Sequence, residues 1–166
     1  LPVKLNTVFT TMHETEDLRG LLDFAKERHV AIRFIELMPK NLASFSSLFR
    51  PIGDAKHMIE SFTDLKPVGA NGGIGGPAEY FLTDEGVEVG FIGFFSLNQC
   101  KQCNRIRVTS SGVVYPCLLR NVKIEAFKSI KQGKEAAKEA LLKAIAMKPG
   151  AGNPEEVGPD MSEIGG

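Results

Sequence analysis

The sequence predicts an α/β fold: a parallel βαβ unit followed by a smaller antiparallel α+β unit. Three observations carry that prediction. Residues 3–9, VKLNTVF, alternate apolar and polar side chains as a half-buried strand does. Between Thr15 and His29 the apolar residues Leu18, Leu21, Leu22 and Ala25 recur at three and four, the period of an amphipathic helix, and AIRFIEL at 31–37 then reads as a second strand. From residue 87 onward, short β-like runs are separated by turn residues with no helix between them, as antiparallel pairing requires. With 166 residues and 43% apolar composition, the chain is long enough to bury a core of ordinary size.

Each element has its own local reason. In the first strand Lys4 and Asn6 share one face. Glu16 and Asp17 fall in the first turn of the helix, where carboxylates offset the macrodipole. Met38-Pro39 ends the second strand, and a strand, a helix and a strand so closely spaced imply parallel pairing with a right-handed crossover. Arg33 sits inside that mostly apolar second strand, either as an ion-pair partner or, near a strand end, as a ligand group. Residues 40–50 read as a loop and 52–62 as a short helix. GANGGIGGPAEYF at 69–81 lacks the lysine of a Walker phosphate loop, which leaves a flexible linker or a close backbone approach to a ligand. Strands are expected at 87–96, 104–109 and 113–119, the last two joined as a hairpin through Ser110-Ser111-Gly112. A helix should follow within 133–150, with Ala137, Leu141, Ala144 and Ile145 on its apolar stripe and Pro149-Gly150 as its stop. The tail from 151 to 166 is too rich in Gly, Pro and acid to bury much. The expected division is 1–68 and 69–166.

Composition narrows the function classes. Twenty basic and twenty acidic residues cancel, so no global field favours nucleic acid or an anionic membrane, and charge recognition must be local. No window approaches a membrane-spanning apolar run, and LPVKLNTVFT is not a signal peptide, so a soluble, cytoplasmic chain is expected. Because it starts at Leu1 rather than methionine, a piece of a longer protein is also expected. Three cysteines, Cys100, Cys103 and Cys117, form a poor disulfide framework and a better ligand set.

Those cysteines give C-x2-C-x13-C, with Arg105 and Arg107 directly after the second. If the turn holds residues 110–112, Arg105 lies opposite Cys117, and Cys103, Arg105, Arg107 and Cys117 share one face; a two-residue turn would put Cys117 on the other. Three thiolates fall one short of a closed zinc site, which a distant histidine could complete. They equally suit an iron-sulfur cluster with one open iron, beside guanidiniums suited to an anion. Unligated core thiols are the third reading.

In order, VKLNTV, RFIELMP, GGPAEYF, CKQCNRIRVTSSGVVYPCLL and the final IGG resemble the C-terminal half of the molybdenum cofactor biosynthesis protein A family. These are radical SAM GTP 3',8-cyclases, lyases that convert GTP to 3',8-cyclo-7,8-dihydro-GTP. The resemblance implies the C-terminal part of an incomplete (β/α) radical SAM barrel over 1–68, then an antiparallel [4Fe-4S]- and GTP-binding domain over 69–166. It implies Cys100, Cys103 and Cys117 as cluster ligands, Arg105 and Arg107 as residues that bind and orient GTP, and Lys4 and Arg33 as triphosphate contacts. Met38 matches a position touching S-adenosylmethionine, and Gly165 and Gly166 match a tail entering the active site. A homodimer is implied for the complete enzyme, with GTP and S-adenosylmethionine as its small-molecule partners and neither nucleic acid nor membrane. The sequence contains no C-x3-C-x2-C, so the second [4Fe-4S] cluster, which binds S-adenosylmethionine, is not encoded here, and the chain is expected to be inactive alone. Gln99 stands where the family usually has Phe, and a histidine usual after the KP of the last helix is absent. Two strands alone cannot close a barrel, so an exposed sheet edge and self-association are expected. The competing reading is a stand-alone iron-sulfur or zinc nucleotide-binding module without radical chemistry.

Overall fold

The computed structural model describes residues 3–38, 47–68, 78–97, 103–118, 120, 122–148 and 150. It is a mixed α/β structure with two compact units, the first built from 1–38 and 43–99 and the second from 39–42 and 100–166.

In the first unit, β1 (Lys4–Phe9), α1 (Thr15–Glu27) and β2 (Ala31–Glu36) form the expected parallel unit, with Asn6 in register with Arg33. The start of α1 is secured by the Glu14 N–H, which donates to Asp17 Oδ2 at 2.9 Å. Its end is closed by His29 in the left-handed region (φ 52°), with the Val30 N–H donating to the Ala25 carbonyl at 3.0 Å and the His29 N–H to that of Lys26. After α2 (Ile52–Glu60) come β3 (Leu65–Pro67), β4 (Glu79–Thr83) and β5 (Glu88–Ile92). The sheet order is β1-β2-β5-β4-β3, in which β5 runs parallel to β2 and antiparallel to β4.

The edge of β2 that the sequence leaves bare is taken by β5, and β4 and β3 follow it onto the same sheet, so residues 78–97 belong to the first compact unit. The edge strands are β1 and β3. Strand alternation sorts the two faces. Phe9, Ile32, Phe34, Phe81, Val89 and Phe91 turn toward Leu18, Leu22 and Ala25 of α1 and Ile52, Ala55 and Ile59 of α2 as one buried cluster.

The second unit carries β6 (Arg107–Val108), β7 (Val113–Tyr115), β8 (Ile124–Glu125), α3 (Phe127–Gln132) and α4 (Lys134–Ala146). Arg107 pairs with Tyr115 and Val108 with Val114, and the Thr109 N–H donates to the Val113 carbonyl at 2.9 Å, so the turn holds residues 110–112 as the sequence predicts. Gly112 makes the turn possible: its φ is +77°, and an added Cβ would stand 3.0 Å from Phe127 Cβ. The expected apolar stripe of the last helix is buried only in part, at Ala144 and, less fully, Ala137. Ala140 and Ala144 pack with Val114 and Ala126, whereas Leu141 and Ile145 are exposed, because only the smallest side chains allow the helix close to the sheet. Strand β3, strand β8 and helix α3 have too few residues to show a period, and the sequence reading does not contain them. Most of the expected 40–50 loop, most of the glycine-rich segment and the tail from 151 lie outside the described residues. Among the described residues no helix is long and apolar enough to cross a membrane.

Candidate functional site

Each unit carries its own set of candidate residues. In the first unit they lie on the sheet face turned away from α1 and α2. There, register aligns Asn6, Arg33, Gly90 and Tyr80 in a row across β1, β2, β5 and β4. Asn6 Oδ1 accepts a hydrogen bond from Arg33 Nε at 2.7 Å, which fixes the guanidinium plane over the sheet. Lys4 Nζ donates to Tyr80 Oη at 3.0 Å, lies 4.5 Å from the centre of that ring, and stands 3.6 Å from Glu88 Oε1. Lys4 and Arg33, predicted from sequence, therefore share one sheet face. Tyr80 and Glu88 were not predicted. Gly90 leaves the space between them, since a Cβ there would fall 2.9 Å from the Tyr80 ring and 3.1 Å from Arg33 Cγ.

At the end of β2 the chain places a carboxylate among apolar neighbours. Glu36 is 1% exposed, and its oxygens accept from the backbone N–H groups of Phe95 at 2.6 Å, Ser96 at 3.3 Å and, more weakly, Ile52 at 3.4 Å. The Ile52 group opens α2, so this anion also faces a helix N-terminus. Met38, two residues on, is half-buried. The only sequence signal for Glu36 is an acid inside an otherwise apolar run, which is costly unless donors surround it.

In the second unit Cys103 and Cys117 are both half-buried. Arg107 is held in the β6–β7 ladder, Arg105 is exposed two residues before it, and the ladder itself ends at the Arg107–Tyr115 pair. Extending that register puts Arg105 level with Cys117, as expected. Beyond the ladder, the bonding comes from Lys148, whose Nζ donates to the carbonyls of Arg105 at 2.7 Å and Pro116 at 2.8 Å. Burial raises the Cys103 thiol pKa. The Arg105 backbone N–H, the Lys148 ammonium and the Arg105 guanidinium act in the other direction and outweigh it, so the thiol ends below its ordinary value.

Two half-buried thiols, of which Cys103 is biased toward thiolate by donors and cations, are the donor chemistry that iron or zinc requires. Among the described residues no group of three or more His, Cys, Asp or Glu side chains is placed to hold a metal. Cys100, Gly165 and Gly166 lie outside the described residues.

The chain is similar to three curated proteins, each named GTP 3',8-cyclase. It is 32% identical to the one from Alkaliphilus oremlandii (strain OhILAs) over 99% of this chain and 52% of that protein. It is 34% identical to that of Pelotomaculum thermopropionicum (strain DSM 13744 / JCM 10971 / SI) over 99% and 53%, and 35% identical to that of Rhodobacter capsulatus over 96% and 49%. The chain thus spans about half the length of the curated relatives it matches. Residues 30–153 match the family model described as Molybdenum Cofactor Synthesis C. Because that match takes in β2 with Arg33, the cysteine hairpin and Lys148 alike, the chain belongs to the Molybdenum Cofactor Synthesis C family.

Proposed function

We propose that this chain is the GTP-binding, cluster-bearing part of a GTP 3',8-cyclase, a lyase acting in molybdenum cofactor biosynthesis. The observation that carries the reading is the three-residue hairpin turn; continued beyond the Arg107–Tyr115 pair, its register would set Cys117 level with Arg105. In this reading Cys100, Cys103 and Cys117 hold a [4Fe-4S] cluster, for which the lowered Cys103 thiol is suited. When bound, such a cluster supplies an open iron that accepts a donor atom of the guanine base. Arg105 and Arg107 then orient the nucleotide, as planar forks matched to phosphate and carbonyl oxygens.

Lys4 and Arg33 are proposed as triphosphate contacts. Asn6 holds Arg33 by one nitrogen, and the Lys4 ammonium has three donors to distribute among Tyr80, Glu88 and an incoming phosphate. Met38 is assigned to S-adenosylmethionine, and Gly165 and Gly166 to a tail that approaches the substrate closely because it lacks side chains. The parallel β1-β2-β5 run is taken as part of a (β/α) barrel in the complete enzyme, which is proposed to be a cytoplasmic homodimer. Radical formation from S-adenosylmethionine needs a second cluster on a C-x3-C-x2-C motif that this sequence does not contain, so the chain alone should not turn over GTP.

The test is anaerobic reconstitution of the chain with iron and sulfide, followed by metal analysis and EPR with and without GTP. About four irons per chain and a spectrum perturbed by GTP are expected. Zinc, or no metal with three titratable thiols, would instead favour a nucleotide-binding or structural module.

A further inference from the structure

We infer that Lys148 is the positioning residue of the cysteine centre: it clamps together the two backbone segments that carry Cys103 and Cys117 and keeps a fixed positive charge beside them. The inference deepens the cluster reading and rests on it for the word centre, while the clamp itself rests on geometry alone.

Among the described residues the β6–β7 ladder ends at Arg107 and Tyr115, short of the strand ends where Cys103 and Cys117 lie. Lys148 joins those ends from a third element. Its ammonium bonds the carbonyl of Arg105, two residues after Cys103, and that of Pro116, the residue immediately before Cys117. The Lys148 charge also acts on the Cys103 thiol, helping to lower its pKa. An ammonium has three N–H donors, enough to hold both carbonyls at once.

The placement of Lys148 is built into α4. Ala140 and Ala144 let the helix lie close to Val114 of β7, and the helix ends in two backbone bonds, the Met147 N–H to the Lys143 carbonyl at 3.1 Å and the Lys148 N–H to that of Ile145 at 3.0 Å. The side chain then reaches back to the hairpin from a helix C-terminus, an end where a cation is favoured. Sequences 43 and 32 residues distant are thereby joined through one side chain. Donors and charges in the shell around a metal-ligand set govern both how well the metal is retained and its reduction potential.

The experiment compares the wild-type chain with Lys148→Met, which keeps the stem and removes the ammonium, Lys148→Arg, and Lys143→Met as a charge-matched control on the same helix. Iron retention under chelator challenge, the midpoint potential from EPR-monitored titration, and hydrogen exchange of the amides of residues 105–107, 115 and 117 in the metal-free chain are read in parallel. Lys148→Met is expected to retain iron about 10-fold less well or worse, to shift the potential to more negative values because a cation is lost, and to raise amide exchange about 10-fold. Lys148→Arg should recover most of the retention and potential, and Lys143→Met should match wild type. Retention, potential and exchange all unchanged in Lys148→Met would overturn the clamp, as would equal effects from Lys143→Met. If the wild-type chain takes up no iron, the cluster reading fails by itself and the exchange measurement decides the clamp.

Discussion

Four phenylalanines, Phe9, Phe34, Phe81 and Phe91, stand in the buried cluster of the first unit; in the second, among the described residues, the cluster is Val114, Ala126, Ala140 and Ala144. A buried aromatic ring removes some 150–250 Å² from water, worth several kcal/mol at about 25 cal/mol/Å², and an alanine a small fraction of that. The first unit is therefore held by apolar burial spread over five strands and two helices. The second relies on single points: a glycine turn, a lysine reaching across a hairpin and, in the proposed function, a metal cluster, which is how small units with thin cores reach stability. Damage to the first should be graded by volume, and damage to the second by which point is removed.

The largest effect is expected from Phe34→Ala, which empties the centre of β2. It should cost the first unit about 4 kcal/mol, read as a lowered urea midpoint and faster exchange of the β1 and β2 amides. If the units are as independent as their separate cores imply, exchange in the β6–β7 hairpin should not move, and a matching rise there would show that the two units unfold together. Next is Gly112→Ala. The left-handed backbone and the 3.0 Å approach to Phe127 Cβ act together, so a loss of about 2 kcal/mol is expected in the second unit alone. A stabilised hairpin would show that the turn tolerates a side chain and that the second unit is less point-dependent than argued.

The smallest effect should come from the surface pair of Lys66 and Asp84, 2.8 Å apart on exposed side chains. Lys66, then the Asp64 backbone N–H, hold the Asp84 carboxyl below its ordinary 3.8. Its depressed value means that any stabilisation is complete above 3.8 and is lost as pH falls through the lowered value. Asp84 raises Lys66 above 10.5, so that contribution is complete below 10.5 and is lost as pH rises through the raised value. Between those limits Asp84→Asn should leave the denaturation midpoint unmoved; a clear drop at neutral pH would mean that the first unit too depends on single points.

Much of this contrast was legible in the sequence, for reasons that differ by residue. Leu18, Leu22 and Ala25 announced α1 because burial imposes its period on sequence, and Ser110-Ser111-Gly112 announced the turn because only a few residue types fit one. The placement of β5 beside β2 was not legible: strand order is decided by which edges remain unpaired in three dimensions, and the apolar run at 87–96 suits either unit. Within the sites, Lys4, Arg33 and the cysteine-arginine hairpin stood out by residue type and spacing. Tyr80, Glu88 and Lys148 did not, because each gains its meaning from a partner dozens of residues away or more, such as Lys4 for Tyr80 and the Arg105 carbonyl for Lys148. The partly misread stripe on α4 has a related cause: periodicity cannot tell which apolar side chains are small enough for close approach.

Glu36 has a consequence for which substitutions its neighbours can tolerate. Its carboxylate is held by backbone N–H groups from positions 95 and 96 and, at longer range, 52, and every residue except proline supplies one. The rule it imposes is thus nearly blind to side-chain identity. Ser96 can change to most other residues without disturbing the bond, while proline at 95 or 96 would strip a donor from a buried anion and be excluded. Variation at position 96 should then look permissive by every measure of residue similarity and yet contain one forbidden letter, whereas the Phe95 ring also meets Phe49 edge-on.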